Sequence, residues 1–228
     1  MLTAIIVAAG SSQRMGFDKL FAQLGGRQVV AHAIDAFEQT GSVAEIILVG
    51  RKNRLRELEE IVGAQKFTKV RKVIPGGERR QDSVRAGLNE IGDEAKFVAV
   101  HDAARPLVRP EQIEQVFEAA HEYGAAALAE AVKDTLKRVD EQNFICGSVE
   151  REKMYALQTP QIASREVMRK AYESIFAKGI SVTDETSALE QFGQKVAIVT
   201  SDDFNLKITL PHDLELARFV LTERAKSS

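Results

Sequence analysis

Two cations, Arg14 and Lys19, stand in the run Ala8-Ala9-Gly10-Ser11-Ser12-Gln13-Arg14-Met15-Gly16-Phe17-Asp18-Lys19, directly after the apolar stretch Ala4-Ile5-Ile6-Val7. Small residues let backbone N–H groups approach an anion closely, and the cations would neutralise it. The run therefore reads as a buried strand feeding a loop that wraps a polyphosphate. It has neither the Gly-Lys-Ser/Thr of a P-loop nor the Gly-x-Gly-x-x-Gly of a dinucleotide site. An ordinary strand-to-helix turn with solvated Arg14 and Lys19 stands beside the phosphate reading.

Asp102 is the second candidate, in Val98-Ala99-Val100-His101-Asp102-Ala103-Ala104-Arg105-Pro106. A carboxylate at the end of a buried strand must be paired or bound to a metal. Nucleotide-bound Mg²⁺ takes only one or two protein carboxylates, so a single Asp suffices. The alternative is an Asp102–Arg105 ion pair that fixes the loop. His101 reads more simply as a core histidine. In Pro75-Gly76-Gly77-Glu78-Arg79-Arg80-Gln81-Asp82-Ser83, a glycine turn opens a helix. Either Asp82 or Ser83 merely caps that helix, or the turn and helix start present N–H groups to a base or ribose. The remaining candidates are scattered: Lys133-Asp134-Thr135, Glu150-Arg151, Thr159-Pro160-Gln161, Thr183-Asp184-Glu185 and Asn205-Leu206-Lys207-Ile208-Thr209. Thr183 reads as a helix N-cap. Lys207 sits in a β-branched strand context, so its charge must leave the core or face a cleft. Arg151 reads as a rim charge.

The elements that position these residues follow from periodicity. Strand-like runs at Leu2–Ala8, Glu45–Val49, Val70–Ile74 and Phe97–His101 alternate with helical patterns around Val29–Gln39, Asn53–Val62, Asp82–Ile91 and Pro110–Tyr123. That alternation predicts an α/β fold, a mostly parallel, Rossmann-like sheet with helices on both faces. Its ligand site is expected beyond the carboxyl ends of the strands, at Gly10–Lys19, Pro75–Ser83 and His101–Arg109. Past a strand at Ala125–Val132 the pattern changes: Lys133–Val139 alternates, Asp140–Asn143 supplies a turn, and Phe144–Val149 returns. This β-arm, about 133–153, is expected to pack on a second subunit, because two strands alone are marginal. Helices at Ser164–Lys178 and Asp184–Phe192, strands at Lys195–Thr200 and Asn205–Thr209, and a helix from Pro211 complete the single domain, 1–228.

Composition bounds the function. The 228 residues are 44% hydrophobic, enough for a sizeable core, and Lys+Arg 31 against Asp+Glu 33 leaves a net charge of -2. No basic field recruits nucleic acid and no basic amphipathic segment recruits a membrane. A single Cys146 makes a disulfide framework or a Cys-rich zinc site untenable. With no charged leader and only short apolar runs, a cytoplasmic protein is expected.

Taken in order, Ala8-Ala9-Gly10…Arg14-Met15…Lys19, Val100-His101-Asp102-Ala103-Ala104-Arg105-Pro106, Lys133-Asp134-Thr135, Gln158-Thr159-Pro160-Gln161, Thr183-Asp184-Glu185 and Leu206-Lys207-Ile208-Thr209 closely resemble the 2-C-methyl-D-erythritol 4-phosphate cytidylyltransferase family across essentially the whole chain. The resemblance implies transfer of CMP from CTP to methylerythritol phosphate with release of pyrophosphate, in non-mevalonate isoprenoid synthesis, with Mg²⁺. It implies Arg14, Lys19, Arg151 and Lys207 as catalytic residues. Ala8, Ala9, Gly10, Ser11 and Ser12 would bind CTP, with loop amides on the triphosphate. Gly76, Gly77 and Ser83 would meet the cytosine, and Asp102 and Ala103 the ribose and metal side. Arg151 and Lys207 would clamp the acceptor phosphate, with Arg105, Thr135 and Thr183 lining its pocket. A homodimer through the β-arm would offer Arg151 and Thr135 to the neighbouring subunit. The chain departs from the family at Ser11-Ser12-Gln13, which lacks a second loop glycine, at Asp18, where a Pro is common and whose absence would loosen the loop, and at Ala131, another frequent Pro. The rivals are a ribitol 5-phosphate cytidylyltransferase and a non-catalytic nucleotide-binding protein of the same fold. A Rossmann-type dehydrogenase is weakened by the missing glycine fingerprint.

Overall fold

Residues Leu2–Ala8 form β1, and their apolar side chains point alternately to opposite faces, as strand geometry requires. The structure is a computed structural model and describes residues 1–10 and 15–226. After β1 come a 3-10 helix at Lys19–Phe21, the short hairpin β2 (Gln23–Leu24) and β3 (Arg27–Gln28), and α1 (Val29–Gln39). Next are β4 (Val43–Gly50), α2 (Leu55–Ala64), β5 (Val70–Pro75), α3 (Arg80–Asn89), β6 (Phe97–Asp102) and α4 (Pro110–Tyr123). The second half holds β7 (Ala125–Ala131), β8 (Leu136–Val139), β9 (Ile145–Val149), β10 (Tyr155–Ser164), α5 (Arg165–Ala177), α6 (Glu185–Phe192), β11 (Ala197–Thr200) and α7 (Pro211–Lys226).

Seven strands make one sheet in the order β11-β7-β10-β6-β1-β4-β5. All neighbours are parallel except β10, which runs antiparallel to both β6 and β7. Strand β1 is buried between two layers. Leu2, Ala4, Ile6 and Ala8 join a core with Val30, Ile34 and Phe37 of α1, Ile113 of α4 and Leu214 of α7. Ile5 faces Val84 and Leu88 of α3 and Met168 and Ala171 of α5. Burial on both faces explains the unbroken apolar reading of β1 and β4.

The chain leaves β1 toward β4 and β5 on one side, then returns to place β6 on the other. That reversal opens a crevice above β1 and β6.

Three sequence expectations need correction. Strand β10 is unread in the periodicity because Pro160 and polar neighbours interrupt it. In the fold, a register shift between Leu157 and Gln161 accommodates them. Asn205–Thr209 pairs with no strand among the described residues, because its backbone meets the loop after β6. It is tethered instead by Ile208 N donating to Ala104 O at 2.8 Å. Thr183 is not an N-cap: Asp184 caps α6, accepting from Ser187 N at 3.1 Å.

Strands β7 and β10 run past the sheet, pairing as far as Ala131 and Tyr155, and deliver β8 and β9 as a separate two-stranded hairpin. Its turn is closed by Asp140 Oδ1, which accepts from Gln142 N and Phe144 N at 3.0 and 2.9 Å. Val139, Phe144, Ile145, Met154, Tyr155 and Leu157 are exposed on and beside this hairpin. No helix among the described residues is long and apolar enough to cross a membrane.

Candidate active site

The crevice holds a cleft of about 540 Å³, within the range of small-molecule sites. Four segments build it: Ala9, Gly10, Met15, Lys19 and Leu20 after β1; Gly77, Glu78, Arg79, Arg80 and Ser83 at the start of α3; Asp102 and Ala104 after β6; Lys207 and Thr209 before α7.

Backbone geometry explains the glycine turn. A Cβ on Gly76 would lie 2.6 Å from Ser83 Oγ and 2.7 Å from Ala9 Cβ, and one on Gly77 would lie 2.4 Å from Asp82 Cβ. Only glycine lets this turn close against the β1 loop. Helix α3 is capped at Arg79, whose N donates to Asp82 Oδ2 at 3.1 Å, so Asp82 is the third residue of a capping box. Ser83 is no cap either: its Oγ accepts from Gly77 N at 3.1 Å and braces the turn.

Asp102, the last residue of β6, is 8% exposed. Its Oδ1 accepts from Arg80 Nε at 2.9 Å and its Oδ2 from Lys207 Nζ at 2.6 Å. Burial alone would raise its pKa, but Arg80 and Lys207 together hold the carboxyl well below the usual carboxylate range. The alternative reading, an Asp102–Arg105 pair, is not what forms. Arg105 Nη1 instead donates to Asn205 O at 2.7 Å, tying the β6 loop to the Lys207 segment. Arg80 also grips Glu185, with Nη1 and Nη2 at 2.7 and 3.0 Å from its two oxygens. Burial opposes the Arg80 charge, yet Glu185 and Asp102 outweigh it and raise its pKa well above the ordinary value.

Lys19 Nζ donates to Ile208 O at 2.6 Å, beside Lys207. Asp18 has partners of its own. It pairs with Arg51 and with Arg54 at 3.5 Å, and its Oδ1 accepts from Leu20 N at 3.4 Å. His101 is a satisfied core residue, fully buried. Its Nε2 lies 3.1 Å from Arg105 O and its Nδ1 3.1 Å from Thr159 Oγ1. A carbonyl can only accept, so Nε2 carries the proton and Nδ1 accepts from the threonine hydroxyl. Burial pushes its pKa down to about 4.

Of the residues singled out in sequence, Ala9, Gly10, Lys19, Gly77, Ser83, Asp102 and Lys207 meet at the cleft. Ala8 and Ala103 are buried, and Gly76 packs on Ala9. Ser11, Ser12 and Arg14 lie outside the described residues. Arg105 and Thr183 do not line the cleft, and Thr135 and Arg151 are exposed around the hairpin, where Arg151 Nη1 donates to Lys133 O.

A family model described as IspD, 2-C-methyl-D-erythritol 4-phosphate cytidylyltransferase, matches residues 2–223. The chain belongs to that family. A 2-C-methyl-D-erythritol 4-phosphate cytidylyltransferase of Desulforamulus reducens is 39% identical over 98% of this chain and 97% of its own length. One of Bacillus licheniformis is 40% identical over 95% and 94%. The crystal structure of 4-diphosphocytidyl-2C-methyl-D-erythritol synthase from Anaerococcus prevotii superposes with a TM-score of 0.85 at 30% identity, covering 97% of this chain and 96% of that one. These likenesses make the chain a nucleotidyltransferase of the cytidylyltransferase family and leave no room for the dehydrogenase reading.

Sequence reasoning assigned no role to Arg80, Glu185 or Tyr172 in this cytidylyltransferase. Glu185 reads locally as a first-turn acid of α6, and only the packing of α6 against α3 shows it fully buried beneath Arg80.

Proposed function

We propose that this cleft is where the family's reaction runs in this chain: a polyol phosphate, 2-C-methyl-D-erythritol 4-phosphate, takes CMP from CTP. One observation carries this placement. Two lysines from opposite ends of the chain converge at the carboxyl ends of β1 and β6, Lys19 on Ile208 O and Lys207 on Asp102, each at 2.6 Å.

In the reaction an acceptor phosphate oxygen bonds to the α-phosphorus of CTP. The bond from that phosphorus to the bridging oxygen breaks, and pyrophosphate leaves with the electron pair. Negative charge gathers on a crowded phosphoryl centre and on the leaving group, so positioning and electrostatic stabilisation do most of the work. Lys19 supplies that stabilisation, Arg14 has the same role by the family match, and Ala9 and Gly10 bind the triphosphate. The Gly76–Gly77 turn and Ser83 face the base. Lys207 clamps the acceptor phosphate, and Arg105 holds the segment that carries it.

Asp102 is the residue that would hold Mg²⁺. Both its oxygens already accept from cations, yet each keeps a further lone pair, and among the described residues no cluster of three acidic, His or Cys ligands exists. One carboxylate with phosphate oxygens fits a nucleotide-borne Mg²⁺. When bound, the ion neutralises charge on the triphosphate.

The exposed apolar residues of the hairpin, Phe144, Ile145 and Tyr155 among them, support a homodimer that brings Thr135 and Arg151 to the partner subunit's cleft. An exposed free Cys146 suits a reducing cytoplasm. The deciding experiment is pyrophosphate release from CTP with methylerythritol phosphate and ribitol 5-phosphate side by side. The first acceptor is expected to react and the second to lag. Release with ribitol phosphate alone would reassign the acceptor, and release with neither would refute the site.

A further inference from the structure

Behind the cleft, two groups that the reaction does not touch, Tyr172 and Glu185, begin a line of charge that ends at the site. Tyr172 Oη donates to Glu185 Oε1 at 2.9 Å, Glu185 takes both Nη groups of Arg80, and Arg80 Nε reaches Asp102, whose other oxygen holds Lys207. Glu185 is fully buried and Tyr172 nearly so. Resting on the site reading above, we propose that Glu185 is a positioning residue: by holding the Arg80 fork, it leaves Asp102 Oδ2 to Lys207 and so sets the acceptor-phosphate clamp.

The argument is geometric. A guanidinium presents its five N–H groups in one rigid plane and binds carboxylates most strongly through two parallel bonds. With one N–H of each Nη group on Glu185, the plane and direction of the fork are fixed, and in that pose Asp102 receives a single bond, from Nε to Oδ1. Without the Glu185 charge, the strongest acceptor left to Arg80 is Asp102. The fork then turns onto both of its oxygens and drives Lys207 from Oδ2 by like-charge repulsion, since a guanidinium no longer held by Glu185 shares the carboxylate with the ammonium. The backbone around Glu185 does not depend on its carboxylate. Gln161 Oε1 accepts from Glu185 N and Thr186 N at 3.0 Å each, and Asp184 caps the helix. Neutralising Glu185 therefore changes the charge pattern while the start of α6 stays in place.

The test is Glu185→Gln, alone and combined with Lys207→Ala, assayed as purified full-length protein with CTP and methylerythritol phosphate varied separately. Removal of such a supporting contact is expected to lower kcat/KM for the acceptor about tenfold or more. KM for CTP should stay within about threefold, and in the Lys207→Ala background the same substitution should change activity less than about twofold, because it acts through Lys207. Equal losses for both substrates, or the full loss repeated without Lys207, would show a merely structural role and overturn the inference. If Glu185→Gln does not fold, Glu185→Asp keeps the charge but withdraws it by one methylene, and the same criteria apply. A crystal structure of the folded variant gives a readout independent of activity. Lys207 Nζ should have left Asp102 Oδ2; the contact retained overturns the inference. A parent enzyme that releases no pyrophosphate refutes the site reading, while the crystal structure still decides this one.

Discussion

Lys19 and Lys207 are each held by an oxygen, a backbone carbonyl for Lys19 and the Asp102 carboxylate for Lys207, with which a phosphate in the proposed site would compete. Both are thus held in place at the mouth of the cleft. A Lys19→Ala enzyme should lose kcat by about a hundredfold or more, the scale of removing one charge-stabilising donor from a transition state. Its unfolding free energy should move by only about 1 kcal/mol, the worth of one hydrogen bond. Steady-state turnover with a urea melt checks both, and near-normal turnover would remove Lys19 from the mechanism. Lys207→Ala should raise KM for the polyol phosphate more than KM for CTP, and equal rises would count against the clamp. At this scale sequence was informative about the cations and Asp102, which stand out as charges beside apolar runs. It was silent on Arg80 and Glu185. A surface arginine and a helix-start glutamate look the same in sequence whether solvated or locked together, because the partner lies 105 residues away.

Helix α3 carries Arg80 and Ser83 to the cleft, and its distance from the sheet is set by one residue. A Cβ on Gly87 would lie 2.7 Å from Ile5 Cγ2 and 3.0 Å from Ile5 Cδ1, in the buried layer between α3 and β1. Alanine is the better helix former by about 1 kcal/mol. Overpacking against a core isoleucine costs about 1–3 kcal/mol and outweighs it. Gly87→Ala should therefore lower the urea midpoint, and the shifted helix should weaken CTP binding too. An unchanged or higher midpoint would mean that α3 can ride outward freely. Long periodic elements such as β1, α1 and α4 were legible with their ends, since each buries an apolar face that its own spacing declares. Strand β10 and the Asn205–Thr209 segment were not. Their local patterns are outvoted by what lies beside them: a ladder that tolerates Pro160 in one case, the loop after β6 in the other.

Across the whole molecule, burial of His101 ties stability to pH. Unfolded, the imidazole takes up its proton below its ordinary 6.5; folded, it resists until about 4. Between those values the unfolded state binds more protons. Stability is therefore full above about pH 6.5 and falls as pH drops toward 4, by roughly 3 kcal/mol if no other group intervenes. Denaturant melts from pH 7.5 to 4.5 should show this decline, and His101→Gln should flatten it. The depressed Asp102 carboxyl adds its own loss only below the ordinary carboxylate range, so the two effects separate by pH.

The amino-acid sequence by itself determined the layered α/β architecture, the small-residue run at the end of β1, and the family, because hydrophobic period, small-residue turns and ordered motifs are local properties. The tertiary structure alone decided which charges pair. It placed Lys207 on Asp102 instead of Arg105, set Glu185 under Arg80, and tied Asp18 to Arg51 and Arg54. Electrostatic pairing depends on distance and burial in space, and neither is encoded in spacing along the chain.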